Sequence, residues 1–221
     1  MRKYVTAHER FEFTRAACRE GGEIATFCLT LAITGARISE VLALTPARLD
    51  RANCAIVFET LKRRRRAVFR AIPVPLELLR LLERAKGAPG LFYAPPNLNT
   101  RLWGWGRTSA WKYVRHVMLS AGIAEGVCKP KALRHGFAVD AGQNGVQLNI
   151  VQRWLGHARI ETTAIYASAL GKEERALARR TWKSLELDRV IGQYTNKESI
   201  NESALRNDLA GHPANATVSD R

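Results

Sequence analysis

Apolar residues recur at helical spacing through most of the chain and at strand spacing in one short region. The stretch TAHERFEFTRAACREGG carries a capping signature, Thr6 with Glu9 three residues on, and Gly21 and Gly22 stop the helix that follows. GEIATFCLTLAITGA is apolar on nearly every face, which predicts a helix buried all round. RISEVLAL predicts a short third helix with Ile38, Val41, Leu42 and Leu44 facing inward. CAIVFET and AVFRAIPV read as two strands, and KRRRR between them reads as a cationic hairpin tip. PLELLRLLERAKG is an amphipathic helix with Pro75 near its start and Gly87 as its stop. Pro, Gly and Asn break the segment GAPGLFYAPPNLNTRLWGWGR into loop. TSAWKYVRHVMLSAG, KPKALRHGFAVDAGQNG, VQLNIVQRWLGH, IETTAIYASAL and KEERALARRTWKSLEL complete the helical region. Beyond about residue 190 the chain is polar and aperiodic, the pattern of a flexible tail. The predicted class is mainly α with a small antiparallel β-sheet, an α+β fold.

Charge changes this picture. The chain has 35 Lys+Arg against 20 Asp+Glu, a formal charge of +15. From residue 186 onward acidic side chains outnumber basic ones, so the excess belongs to the folded part. A surface this basic points to a polyanionic partner, most often nucleic acid. Cys18, Cys28, Cys54 and Cys128 make no CxxC pair, and no His lies at metal-ligand spacing to them. A zinc site is therefore not expected, and reduced thiols fit a cytoplasmic protein. MRKYVTAHERFEF lacks the apolar core of a signal peptide, and IATFCLTLAIT is too short and too polar to span a bilayer.

CKPKALRHG gathers Lys131, Arg134 and His135 at a predicted helix start. Helix N-termini favour anions, so cations there repel the dipole and each other unless an anion is bound. Lys131 and Arg134, three apart, share a helix face, and arginine offers a planar fork matched to phosphate oxygens. The plainer reading is a solvated basic face. Arg37 follows Gly35 beside apolar walls, and Glu40 three residues on is its natural ion-pair partner. Taken singly, His157 and Tyr166 in WLGHARIETTAIYAS read as structural residues, and Lys62–Arg66 reads as a solvated or DNA-facing turn. Trp103, Trp105 and Trp111 lie near Arg101 and Arg107; such tryptophans are more often core than DNA contacts.

The order of these elements carries more than any one of them. An arginine in TGARISEVLAL, a lysine-bearing hairpin, ALRHGFA, then VQRWLGHARIETTAIYA resembles the catalytic domain of the tyrosine recombinases, the phage integrase family. The resemblance runs from about residue 8 to residue 185. It implies a catalytic domain over residues 1–188, a polar tail over 189–221 and no separate N-terminal core-binding domain. By the same resemblance Tyr166 is the nucleophile that attacks a scissile phosphate and becomes a 3′-phosphotyrosine. Arg37 and Arg134 clamp the non-bridging oxygens, His157 hydrogen-bonds the phosphate, and Lys62 protonates the leaving 5′-oxygen. Lys131 stands where the family usually has His. An ordinary lysine, with a pKa near 10.4, acts there as a cation or donor rather than as a base. Glu40 becomes a partner that orients Arg37.

The activity implied is site-specific integration, excision or resolution of double-stranded DNA, with no metal, no ATP and no other cofactor. The implied assembly is a homotetramer on two DNA sites, with an accessory DNA-binding protein or clamp domain as a further partner and no membrane. Two other activities fit the same residues: type IB topoisomerase-like relaxation, and DNA binding without catalysis on a recombinase scaffold.

Overall fold

A computed structural model of the chain describes residues 3–60, 68–84, 99–156, 172–183, 185–186 and 189–193. In chain order the helices are α1 (Ala7–Glu20), α2 (Gly22–Thr34), α3 (Ile38–Leu42), α4 (Leu76–Arg84), α5 (Arg107–Ser120), α6 (Pro130–Gln143), α7 (Leu148–Leu155) and α8 (Lys172–Lys183). Strands β1 (Leu49–Asp50), β2 (Ala55–Glu59) and β3 (Phe69–Pro73) lie between α3 and α4 and form one antiparallel sheet in the order β1-β2-β3.

The helix starts follow from local chemistry. The Glu9 amide donates to Thr6 Oγ1 at 3.2 Å, and the Thr6 amide donates to Glu9 Oε2 at 2.7 Å. This reciprocal cap satisfies two otherwise orphaned amides and stabilises α1 by about 1 kcal/mol. Gly21 ends α1 at φ 75°, but Gly22 is the first residue of α2 rather than a second stop. The two glycines form a corner, each in the left-handed region that glycine enters at no steric cost.

Helix α2 is the axis of the core, and its residues from Ala25 to Thr34 are all buried. A helix surrounded by protein must satisfy its own polar side chains. Thr30 Oγ1 donates to the Thr26 carbonyl at 2.7 Å, and Thr34 Oγ1 donates to the Thr30 carbonyl at 2.6 Å. The Trp103 indole N–H donates to Thr26 Oγ1, and its ring packs edge-on against Phe27. Helices α1, α4, α5 and α6 pack around this axis. The sheet closes one side, with Ile56 opposite Ile72 and Phe58 opposite Arg70. β1 has only two residues, too few to show a period-2 pattern, and was not foreseen.

Helix α6 is held close to its neighbours by two glycines. A Cβ on Gly35, the C-cap of α2 at φ 60°, would lie 2.5 Å from the Phe137 ring. A Cβ on Gly136 would lie 2.5 Å from the Val5 carbonyl oxygen. That segment is pinned to α6, because the Val5 amide donates to the Ala132 carbonyl. Alanine is favoured over glycine in a helix by about 1 kcal/mol. Here the clash is with backbone that cannot rotate away. Gly136→Ala is therefore expected to destabilise the fold by about 1–3 kcal/mol despite its better propensity, read as a lower urea midpoint at unchanged m.

Candidate active site

Gly35 turns the chain out of α2 and places Arg37 in extended conformation as the N-cap residue of α3. Glu40, one turn on, receives the Arg37 amide on Oε2 at 2.9 Å and the Arg37 Nη1 on Oε1 at 2.7 Å. The pairing read from the sequence is thus formed. The Arg37 side chain keeps 25% of its surface exposed while the Glu40 side chain has none.

Glu40 has a second partner that the sequence reading missed. Arg70, on β3, donates from Nη2 to Glu40 Oε2 at 2.6 Å and from Nη1 to Thr60 Oγ1 at 3.1 Å. Its Nε donates to the Trp154 carbonyl at 2.6 Å. The signal was in the strand pattern. Arg70, Ile72 and Val74 alternate along one face of the strand, all are buried, and a charge among apolar inward positions marks a buried partner. Burial alone would push the Glu40 carboxyl up; Arg70, with help from Arg37, overrides it and holds the group below its ordinary value.

Arg134 reaches the same place from α6. It is 8% exposed, and its Nη1 and Nη2 donate to the carbonyls of Gly35 and Leu155. It thereby joins the ends of α2 and α7. Burial, and then the like charges of Arg37 and Arg70, pull its pKa down to about 10, against the opposing pull of Glu40. It remains a cation at neutral pH, but a strained one. Three guanidinium groups face one carboxylate, so the cluster carries an excess of positive charge in a poorly solvated place. An anion in front of it relieves both desolvation and repulsion.

Lys131 sits at the first turn of α6 and is exposed, so the face it shares with Arg134 in sequence is split by depth. His135 is also largely exposed; its partial burial, then Lys131, Arg134 and Lys3, push its pKa below the ordinary value. Lys62, His157 and Tyr166 lie outside the described residues. The structure therefore brings Arg37 and Arg134 together, with Glu40 and Arg70 beneath them. The three tryptophans divide. Trp103 is 1% exposed, and Trp105 packs against Phe27 and Tyr113. Trp111 is 40% exposed on α5, one turn from Arg107 and beside Lys112. Trp154 is buried against Phe137, under the cluster. Among the described residues no group of His, Cys, Asp or Glu could hold a metal ion, and no helix is long and apolar enough to cross a membrane.

Residues 3–173 match the model of the phage integrase family, and the chain belongs to that family. It is 33% identical over 139 residues to tyrosine recombinase XerD of Mycobacterium leprae (strain TN), covering 60% of this chain and 44% of that protein. The chain thus spans less than half the length of this curated relative. Its fold is similar to that of the XerA recombinase crystal structure, with a TM-score of 0.59 and 24% identity over 83% of this chain and 65% of the other. It is also similar to the XerH site-specific recombinase solved with its difH substrate in a pre-cleavage complex. There the TM-score is 0.60 with 20% identity, over 82% of this chain and 55% of the other.

Proposed function

We propose that this chain is the catalytic domain of a site-specific tyrosine recombinase. It cleaves and rejoins double-stranded DNA through a 3′-phosphotyrosine on Tyr166. The observation that carries this reading is the convergence of Arg37 and Arg134 on one under-compensated cationic site, built from segments far apart in sequence. Phosphoryl transfer needs little from a protein beyond in-line positioning and charge on the equatorial oxygens. Two preorganised arginine forks supply that charge at no reorganisation cost. Lys62 serves as the acid toward the leaving 5′-oxygen, and His157 and Lys131 donate to the phosphate. The covalent intermediate conserves the phosphodiester energy, so rejoining needs no ATP. Trp111, Arg107 and Lys112 extend the basic surface along α5 as a DNA contact. The reading includes a homotetramer on two DNA sites, helped by an accessory clamp, acting in the cytoplasm.

The test is a covalent trap. Nicked duplexes tiled across the DNA flanking the gene are incubated with the protein and denatured. A shifted protein–DNA band supports strand cleavage. DNA retention with no band on any duplex would sink the enzymatic reading and favour DNA binding alone. Relaxation of supercoiled plasmid without strand exchange would move the assignment to a topoisomerase.

The clamp makes its own prediction. Lysine at position 134 keeps a charge but has one nitrogen where arginine has three. Its three donors radiate from one point and do not reproduce the separate Nη1 and Nη2 that reach the Gly35 and Leu155 carbonyls, so a donor is lost to one carbonyl or to the phosphate. Arg134→Lys is expected to slow single-turnover cleavage by about 10²–10³-fold, with the DNA Kd changed by less than about 3-fold.

A further inference from the structure

We infer that Arg70 is a positioning residue that ties the first arginine motif to the third box, setting Arg37 and the turn that leads to His157 through one guanidinium. The role rests on the recombinase reading above.

Arg70 is 3% exposed. Each of its nitrogens is engaged, and the partners come from separate elements. Nη2 and Nη1 hold the two oxygens of Glu40 in α3, at 2.6 and 3.4 Å. Nη1 also holds Thr60, which follows β2, and Nε holds the Trp154 carbonyl near the end of α7. On the α3 side the consequence is direct. Glu40 takes Arg37 with the same two oxygens, so the placement of Arg37 depends on where Arg70 holds that carboxylate. On the α7 side, Gly156 ends the helix at φ 64° and lies against the guanidinium plane. A Cβ there would sit 3.1 Å from Arg70 Cζ and Nη1. Glycine suits both the left-handed turn and the close approach of Arg70, which a Cβ would push back by a few tenths of an ångström. Phe58 covers the guanidinium, 5.4 Å from ring centroid to Cζ, and so keeps water from competing for these bonds. Arg134 completes the brace by holding the Leu155 carbonyl, one residue further along. Two adjacent carbonyls of α7 are thus fixed by two arginines, one of them in the phosphate clamp and the other beneath it.

The experiment is a double-variant cycle on single-turnover cleavage, using a nicked, end-labelled duplex from the DNA flanking the gene. Arg70→Lys keeps the charge that neutralises Glu40 but loses the fork. It is expected to slow cleavage by about 30–100-fold, with the DNA Kd within about 3-fold of wild type. Because Arg70 acts mainly through Arg37, with only the smaller α7 share left when Arg37 is gone, the Arg37→Ala/Arg70→Lys double variant is expected to be slower than Arg37→Ala alone by less than about 10-fold. A merely structural role would lower the folded population alike in both backgrounds, and the factors would multiply. Multiplying factors, or an Arg70→Lys protein that cleaves at the wild-type rate, would overturn the role. If circular dichroism shows Arg70→Lys to be unfolded, Thr60→Val takes its place, with an expected slowing of about 5-fold and the same non-additivity. Absence of an adduct from the wild-type protein would instead sink the recombinase reading, and this role with it.

Discussion

Tyr166→Phe is expected to form no covalent adduct on any duplex that the wild-type protein cuts, while binding that duplex with a Kd within about 2-fold of wild type. The substitution removes one oxygen and keeps the ring and the net charge. What it removes has no substitute in the proposed chemistry. A phenol with a pKa near 10 is a weak nucleophile at neutral pH and depends on nearby cations to lose its proton. In the proposed mechanism Arg37, Arg70 and Arg134 supply that charge. Removing one arginine of the clamp leaves a slower reaction, because the nucleophile and the other donors remain. Removing the nucleophile leaves none. The chain has 5 tyrosines, so the adduct must also be mapped by peptide analysis. Tyr113 packs against Trp105 in a tilted pair, 4.8 Å between ring centroids, and is a poor candidate for attack. An adduct that persists in Tyr166→Phe would transfer the role to another side chain and undo the alignment of the third box.

Helices whose burial follows the local sequence period were legible before any coordinates. α2 is apolar nearly all round and is buried from Ala25 to Thr34; Ile38, Val41 and Leu42 face inward as their spacing requires, whereas α3 ends at Leu42 and Leu44 is buried beyond it. The Arg37–Glu40 pair was legible for the same reason, since three residues make less than one turn. The family was legible where order along the chain carries it, in the succession of boxes. What could not be read is what depends on meeting across the fold. Arg70 and Glu40 are 30 residues apart, and nothing in either segment names the other. Lys131 and Arg134 show the converse limit. Spacing puts them on one face, but only packing decides that Arg134 turns inward to two carbonyls while Lys131 stays in solvent. Trp103 and Trp111 are alike in composition and local charge, and differ because one meets Phe27 and Thr26 while the other meets no core.

The longest-range of these meetings carries the largest expected effect on stability. Arg10 on α1 and Asp140 on α6 are separated by 130 residues, yet Nη1 and Oδ2 lie 2.6 Å apart with both side chains buried. Arg10 Nη2 donates to the Ala32 carbonyl at 2.8 Å, so the pair joins α1, α2 and α6 at one point. Burial pushes the Arg10 guanidinium pKa down, and Asp140 opposes it. Asp140→Asn keeps the shape and deletes the counter-charge. It strands a cation that is 0% exposed, and is expected to cost about 3–5 kcal/mol, read as a fall in the urea midpoint. The paired replacement Arg10→Met/Asp140→Leu removes both charges and is expected to recover most of that loss, because a buried ion pair often gains little over apolar side chains of similar volume. Recovery separates charge stranding from simple loss of packing, which two substitutions would worsen. α6 also carries Arg134, so the same pair fixes the helix from which the proposed clamp arginine extends. If the pair serves only to neutralise itself, the apolar double variant cleaves at the wild-type rate. If its directional bonds set the seating of α6, the double variant is stable but slow, and stability and cleavage come apart in a single protein.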